Sequence, residues 1–250
     1  MEEKLSKLEI SIVIPVFNEA ENIHFLSKEI TKSLKNFRHE IIFVDDGSSD
    51  DTRKEIKSIA NELNQIRLLS HKKSLGQSVA MRSGIIHSKS NLIATLDGDG
   101  QNVPSDLPSM ISTYKNNKDG LVLVAGIRQN RKDSLSKRLA SKTAKYIRSI
   151  ILGDNHPDSG CGIRVFDKNL FLLMPFFNHM HRFITVLASK QGAKVIGVPV
   201  KHRERLKGYS KYTNLGRAFV GIFDIIGVIW LNRRTPVKFE VEEQNLRKGK

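Results

Sequence analysis

Short runs of apolar residues alternate with longer polar segments along the first hundred residues of the chain. The four apolar runs are rich in β-branched side chains and cover Ile10–Val16, 40–44, Ile66–Ser70 and 92–96. Segments of helical length separate them, at 20–35, 51–64 and 76–88. Continuous apolar strands joined by helices are typical of a parallel sheet that is buried on both faces. The pattern therefore predicts a Rossmann-like arrangement in which four strands alternate with three helices.

The second half of the chain continues this alternation. Further strands are predicted at 121–126 and Lys194–Val200, and further helices at 134–152 and, after the segment 161–166, near 183–191. The predicted fold class is therefore α/β, with a mostly parallel sheet flanked by helices. In open sheets of this kind, ligands bind beyond the carboxyl ends of the strands.

The longest apolar stretch lies near the C-terminus, at 218–231. It has 14 residues, is interrupted by Asp224 and is followed by Arg233 and Arg234. Because a helix needs about 20 apolar residues to span a bilayer, this stretch predicts either a core helix or a helix lying in a membrane interface. We expect one α/β domain over 1–215 and, over 216–250, a short apolar helix with a charged tail that associates with a membrane.

Charge is distributed unevenly between the two halves. Residues 1–125 carry 16 Lys and Arg against 17 Asp and Glu, whereas residues 126–250 carry 25 against 9. A basic field of this size attracts nucleic acid, an anionic membrane surface or phosphorylated substrates, and a solvated basic face is the alternative. The absence of a recognisable nucleic-acid-binding motif argues against nucleic acid.

The lone cysteine, Cys161, and an N-terminus without an apolar signal core predict a cytosolic location.

Two carboxylates, Asp97 and Asp99, come where the fourth apolar strand enters a glycine-rich turn. Side chains one residue apart in such a turn can converge on one hard cation, with a diphosphate supplying further oxygen ligands. A turn with two solvated acids is the alternative. Other polar clusters follow the first strand, at Asn18 and Glu19, and the second strand, at Asp45 and Asp46. Helix capping accounts for Asn18 and for one acid of 45–51, but it does not require four acids.

Taken together, segments 11–23, 44–52 and 94–101 resemble the family 2 glycosyltransferases of the GT-A fold. The resemblance covers about residues 10–215. It implies that Pro15, Phe17 and Glu19 line a nucleotide pocket and that Asp45 and Asp46 lie near the base and ribose. It further implies that Asp97 and Asp99, with Gln101, hold Mg²⁺ or Mn²⁺, which would neutralise the leaving nucleoside diphosphate.

Four segments, 96–101, 125–128, 158–166 and 205–212, narrow the resemblance to the dolichyl-phosphate or polyprenyl-phosphate sugar synthases, including the mannosyltransferases. In these enzymes a GDP- or UDP-linked sugar is transferred to a lipid phosphate at a membrane surface. An anionic acceptor needs nearby cations rather than a strong base, and guanidinium binds phosphate through two parallel hydrogen bonds. The residues expected to contact a substrate phosphate are Arg128, Arg138, Ser141, Arg205, Ser210 and Lys211, and Arg205 is also expected to be catalytic, with Asp97 and Asp99.

Two alternatives remain open on the sequence alone. Asp158 is either a general base for a hydroxyl acceptor or an acid that orders its glycine-rich loop, and the phosphate acceptor favours the second interpretation. His179 and His181 either approach the sugar or form an ordinary histidine pair.

Many relatives carry transmembrane helices after the catalytic domain, and this sequence contains only the one short apolar segment there. We expect the enzyme to act peripherally, on the cytosolic face of a membrane.

Overall fold

A computed structural model describes residues 8–117, 119–129, 152–153, 155–204 and 214–236, without the side chains of 214–220 and 222. Seven strands form one sheet in the order β3-β2-β1-β4-β6-β5-β7. All neighbouring strands are parallel except that β6 runs antiparallel to both β4 and β5. The strands are β1 Ile10–Val16, β2 His39–Asp45, β3 Ile66–Ser70, β4 Leu92–Thr95, β5 Val122–Arg128, β6 Arg164–Asp167 and β7 Lys194–Val200.

Seven helices are described around the sheet. They are α1 Ala20–Ser33, α2 Thr52–Glu62, α3 Gln77–Ile86, α4 Leu107–Lys115, α5 Lys168–Leu173, α6 Ile184–Lys190 and α7 Asn214–Arg234. The predicted strands and the first three helices are confirmed within a few residues. Helices α4 and α5 were not predicted, because α4 has Pro108 as its second residue, which also suits a turn, and α5 is only six residues long. Nearly all of the helix expected at 134–152 lies outside the described residues.

The sheet is covered on both faces, which explains its uninterrupted apolar strands. Ile12 and Ile14 belong to a cluster that contains residues of α1, α2 and α4. The intervening Val13 belongs to a second cluster, which contains residues of α3, α5 and α6. Strands β1 and β2 therefore bury successive side chains in opposite layers.

Helix α7 is longer than the apolar stretch that predicted it and begins at Asn214, just before the expected domain boundary. Its Val228 side chain is buried in the second cluster, and Asp224 contacts His179 and Arg182. The opposite side of the helix exposes Phe223 (73%), Ile226 (58%) and Trp230 (62%). Among the described helices, none combines the length and apolarity needed to cross a membrane.

Candidate active site

The loop after β4 places two carboxylates at the carboxyl edge of the sheet. The backbone N–H of Asp97 donates to Oδ1 of Asn102 (3.0 Å), and the N–H of Gln101 donates to Oδ1 of Asp99 (3.0 Å). Between them the chain turns at Gly100, whose φ of +72° is a conformation that favours glycine. The loop is therefore held by its own polar side chains with Asp97 and Asp99 side by side.

The carboxylate of Asp97 is held between α3 and the loop before β6. Gln77, the first residue of α3, donates its Nε2–H to Asp97 Oδ1 at 2.9 Å. On the other side, a Cβ added to Gly162 would lie 2.1 Å from Asp97 Oδ2. Gly162 lies next to the carboxylate because Thr95 Oγ1 donates to its carbonyl oxygen (2.8 Å). Only glycine at position 162 leaves space for the Asp97 side chain in this position.

Burial, followed by the charge of Asp99, raises the pKa of Asp97 to about 6. The positive charges of Arg164 and Arg128 and the hydrogen bond from Gln77 oppose this rise without cancelling it. Arg164 is itself buried, and its guanidinium donates to the carbonyl oxygens of Ser159 (3.0 Å) and His181 (3.1 Å). Negative charge at the paired acids is therefore under-compensated, and a bound cation would relieve it.

Arg128 forms a two-bond ion pair with Asp158. Its Nε–H and a second guanidinium N–H donate to the two carboxylate oxygens at 2.7 Å each, and its backbone N–H donates to Oδ2 at 3.0 Å. Asp158 thus orders the junction between the end of β5 and the glycine-rich loop, which favours its interpretation as a loop-ordering acid. Arg128 lies close enough to Asp97 to affect its pKa, and its contact with a substrate phosphate stays a prediction.

The acids after β2 are buried and hydrogen-bonded within the protein. Asp45 pairs with Arg53 and accepts from the N–H of Ser48 (3.0 Å). Asp46 binds the loop before α3, accepting hydrogen bonds from the side chains of His71 and Ser74 and from the backbone N–H groups of residues 75 and 76. Burial raises the pKa of Asp46, but these bonds outweigh it and leave the pKa below its usual range. The expected contacts of both acids with base and ribose stay predictions.

The loop after β1 is bound to the loop before α2. The N–H of Asn18 donates to Ser48 Oγ (2.9 Å), and the N–H of Glu19 donates to Thr52 Oγ1 (2.8 Å). Asn18 adopts a positive φ of 53° and accepts from the N–H of Ser49 (2.8 Å), and the neighbouring Phe17 side chain is exposed. Pro15, Phe17 and Glu19 therefore lie at the same edge of the sheet as the two pairs of acids.

Several predicted residues fall outside the described part of the chain: Arg138, Ser141, Arg205, Ser210 and Lys211. His181 lies beside the site, with its Nδ1 2.8 Å from Ser78 Oγ at the start of α3. His179 faces α7 instead, with its Nδ1 3.2 Å from Asp224 Oδ2. The two rings nevertheless remain neighbours, with their centroids 6.4 Å apart in an edge-to-face arrangement.

Sequence reasoning missed Gln77, Gly162 as a close neighbour of Asp97, and Arg203. Gln77 could have been found from its position: the loop between β3 and α3 lies at the same edge of the sheet as the loops after β1, β2 and β4. Arg203 follows β7, and its backbone N–H donates to the carbonyl oxygen of Gln101 (3.1 Å). Gln101 in turn directs its Nε2 toward the carbonyl oxygen of Arg203 (3.5 Å).

The donor set suits a hard divalent cation. Asp97 and Asp99 supply carboxylate oxygens, the ligands that Mg²⁺ and Mn²⁺ prefer, and the raised pKa of Asp97 marks an unneutralised charge. Within the described ranges, no group of three or more His, Cys, Asp or Glu side chains is arranged to hold a metal. The site therefore resembles those that complete their coordination with substrate phosphates and water.

The amino-acid sequence matches the family model described as Glycosyl transferase family 2 over residues 11–172. It is 34% identical over 235 residues to the dodecaprenyl-phosphate galacturonate synthase of Rhizobium johnstonii, covering 92% of this chain and 69% of that protein. It is also 34% identical over 216 residues to the undecaprenyl-phosphate 4-deoxy-4-formamido-L-arabinose transferase of Proteus mirabilis, covering 85% and 65%. The chain thus spans about two thirds of the length of these relatives.

Among solved structures, the fold is similar to that of glucosyl-3-phosphoglycerate synthase from Mycobacterium tuberculosis in complex with Mn²⁺, uridine diphosphate and phosphoglyceric acid. The TM-score is 0.65 at 16% sequence identity, and the match covers 92% of this chain and 80% of that one. At this identity the similarity concerns the fold, which is the predicted GT-A arrangement of a mixed sheet flanked by helices.

Proposed function

This chain belongs to glycosyl transferase family 2, and we propose that it is an inverting enzyme that moves a sugar from a nucleotide sugar to a polyprenyl phosphate. The sugar is mannose or a similar hexose. The observation that carries the proposal is the Asp97 and Asp99 pair at the carboxyl edge of a GT-A sheet, in a chain related over most of its length to polyprenyl-phosphate sugar transferases.

In the proposed reaction, the nucleotide sugar binds across the carboxyl ends of β1, β2 and β4. Mg²⁺ or Mn²⁺ held by Asp97 and Asp99, with Gln101, would neutralise the charge of the departing nucleoside diphosphate. Gln77 and Gly162 keep the Asp97 carboxylate in place, and the lipid phosphate oxygen attacks the anomeric carbon from the opposite face. Because that oxygen is already anionic, the protein contributes mainly positioning and electrostatics.

The Asp158 ion pair supports a phosphate acceptor over a hydroxyl acceptor. A general base must offer a carboxylate oxygen to the incoming hydroxyl, whereas both oxygens of Asp158 accept hydrogen bonds from Arg128. Breaking that pair would leave a partly buried guanidinium without its carboxylate. Transfer to a lipid or saccharide hydroxyl, with Asp158 as base, is the second candidate function.

The exposed side of α7 supports action at a membrane surface. Phe223, Ile226 and Trp230 project from one side of the helix, and Arg233 and Arg234 follow them, as in helices that lie in an anionic interface. Asp224 sets this orientation because its contacts with His179 and Arg182 hold the other side against the protein. We place the enzyme peripherally, on the cytosolic face of a membrane.

The test is transfer of radiolabel from a panel of GDP- and UDP-sugars to polyprenyl phosphate or to the corresponding free alcohol. We expect an organic-phase product with the phosphate alone, and we expect a chelator to abolish it. Two outcomes would instead support a hydroxyl acceptor. One is equal labelling of the alcohol, and the other is activity that is lost in Asp158→Asn but kept in Arg205→Ala. The double variant Phe223→Ser and Trp230→Ser should bind anionic vesicles weakly while keeping activity on detergent-dispersed lipid.

A further inference from the structure

Arg203 joins three separate parts of the protein at the edge of the candidate metal site. Its Nε–H donates to the carbonyl oxygen of Gly100 at 2.5 Å. The other two guanidinium nitrogens donate to the two carboxylate oxygens of Glu29 in α1, at 3.0 and 2.5 Å. The guanidinium carbon lies 4.6 Å from the centre of the Phe25 ring, one turn earlier in α1. Every donor-bearing nitrogen of the side chain is thus engaged.

The backbone around Arg203 reinforces the same junction. His202 forms an antiparallel bridge with Asn102, and the N–H of Arg203 donates to the carbonyl oxygen of Gln101 at 3.1 Å. Asn102 is also the residue whose side chain accepts from the N–H of Asp97. The turn with the paired acids is therefore bound along its length to the segment that follows β7.

The bond to Gly100 acts on the turn itself. Gly100 lies between Asp99 and Gln101, and its positive φ has no steric cause nearby, because a Cβ there would meet its nearest atom at 3.7 Å. Because no side chain at position 100 anchors this turn, its hydrogen bonds fix its conformation. Here the guanidinium supplies a charge-assisted bond to the one carbonyl at the centre of the turn, which is stronger than a neutral one.

The pairing with Glu29 solves an electrostatic problem. An uncompensated guanidinium beside a divalent cation site would repel the cation, whereas a paired one leaves little net charge. The two-bond geometry also fixes the plane of the guanidinium, so that Nε points at Gly100. Lysine has a single charged nitrogen and could not bind Glu29 through two bonds and Gly100 through a third in this arrangement.

We propose that Arg203 is a positioning residue that holds the turn of residues 99–101 in the conformation that binds the divalent cation. The proposal rests on the proposed function, since it concerns the same metal.

The experiment compares Mn²⁺ binding by the purified chain, alone and with UDP or GDP, followed by the electron paramagnetic resonance signal of free Mn²⁺. Loss of a residue that orients metal ligands typically weakens binding by about 10- to 100-fold. We expect this loss in Arg203→Gln, a smaller loss in Glu29→Gln, and only partial recovery in Arg203→Lys. The thermal unfolding midpoint of each variant is measured in chelator, so that metal binding and stability are separated.

The matched control is Arg67→Gln. Arg67 also binds a glutamate, Glu40 (2.5 Å), and a backbone carbonyl oxygen, that of His87 (3.0 Å), but at the opposite edge of the sheet. We expect Arg67→Gln to lower the unfolding midpoint and to leave Mn²⁺ binding unchanged. Mn²⁺ binding by Arg203→Lys and Glu29→Gln equal to wild type, or weakened equally by Arg67→Gln, would overturn the proposal. Mn²⁺ binding by wild type without any lipid product would instead contradict the proposed function and leave the positioning role in place.

Discussion

Glu40 at the amino edge of the central sheet and Asp97 at its carboxyl edge are both carboxylates, but their charges are neutralised to different extents. At the amino edge, Glu40 accepts hydrogen bonds from Ser11 Oγ (2.6 Å), from Arg67 (2.5 Å) and from the N–H of Lys89 (2.6 Å). At the carboxyl edge, Asp97 lies beside a second acid, Asp99, and accepts a hydrogen bond from the neutral side-chain amide of Gln77. The first carboxylate is neutralised within the protein, whereas the second retains unneutralised charge that a cation can use.

This difference distinguishes carboxylates that stabilise the fold from carboxylates that can bind a ligand. A buried carboxylate with a guanidinium and a backbone N–H stabilises the fold around it and has little to offer a ligand. A carboxylate whose pKa is raised by burial and by a like charge is destabilising unless something binds it. The four predictions that follow test this contrast, in order of decreasing expected effect.

Replacing Asp97 or Asp99 by asparagine should lower the rate of sugar transfer by about 100- to 1000-fold, because electrostatic stabilisation of the departing diphosphate is lost. The free energy of unfolding in chelator should fall little, or rise, because one unneutralised charge is removed. Initial rates with radiolabelled nucleotide sugar and chemical denaturation give the two quantities. A large fall in stability with little loss of rate would reverse the contrast.

Glu40→Gln should do the opposite. Loss of the charge-assisted bond from Arg67 should lower the free energy of unfolding by about 2 kcal/mol, while transfer per folded molecule stays near wild type. Urea denaturation followed by circular dichroism measures the first quantity. A specific activity reduced as strongly as in Asp97→Asn would mean that the amino edge is not merely structural.

Gly162→Ala should reduce transfer by about tenfold, because displacing Asp97 from the new methyl group loses about 1.4 kcal/mol of positioning. Gly162 has no positive φ, so the effect is expected from the contact and not from backbone strain. The matched control is Gly160→Ala two residues away, where a Cβ would lie 3.3 Å from a guanidinium nitrogen of Arg128, a much looser contact than the 2.1 Å at Gly162. Equal rates for the two variants would exclude a role for the close contact.

Mn²⁺ affinity should fall as the pH is lowered through about 6, the pKa of Asp97 in the metal-free protein. Below that pH a proton competes with the metal, so affinity should decrease by about tenfold per pH unit. The stability of the metal-free protein should depend on pH in the opposite direction. Because the pKa of Asp97 is higher in the folded than in the unfolded chain, its contribution to stability is fully present below the unfolded-state pKa and is lost as the pH rises through about 6. Isothermal titration from pH 5 to 7.5, with Asp97→Asn as control, measures the first effect.

Regular patterns in the sequence predicted the framework well. The apolar run of β1 predicted a strand buried on both faces. The polar residues after β1, β2 and β4 were expected at one edge of the sheet, and the structure has them there. These inferences succeed because periodicity and strand ends are local properties of the chain. The direction of β6 was not predicted, since its short apolar run has the same composition whether it lies parallel or antiparallel to its neighbours.

The sequence by itself determined the α/β class, the acids at the strand ends and the family resemblance, because each is written in short segments. Only the tertiary structure decided what surrounds those acids. Gln77 reaches Asp97 across 20 residues of chain, and Gly162 and Arg203 reach the same loop from 65 and 103 residues away. No local periodicity records such contacts, since they arise when the order of strands in the sheet brings distant loops to one edge.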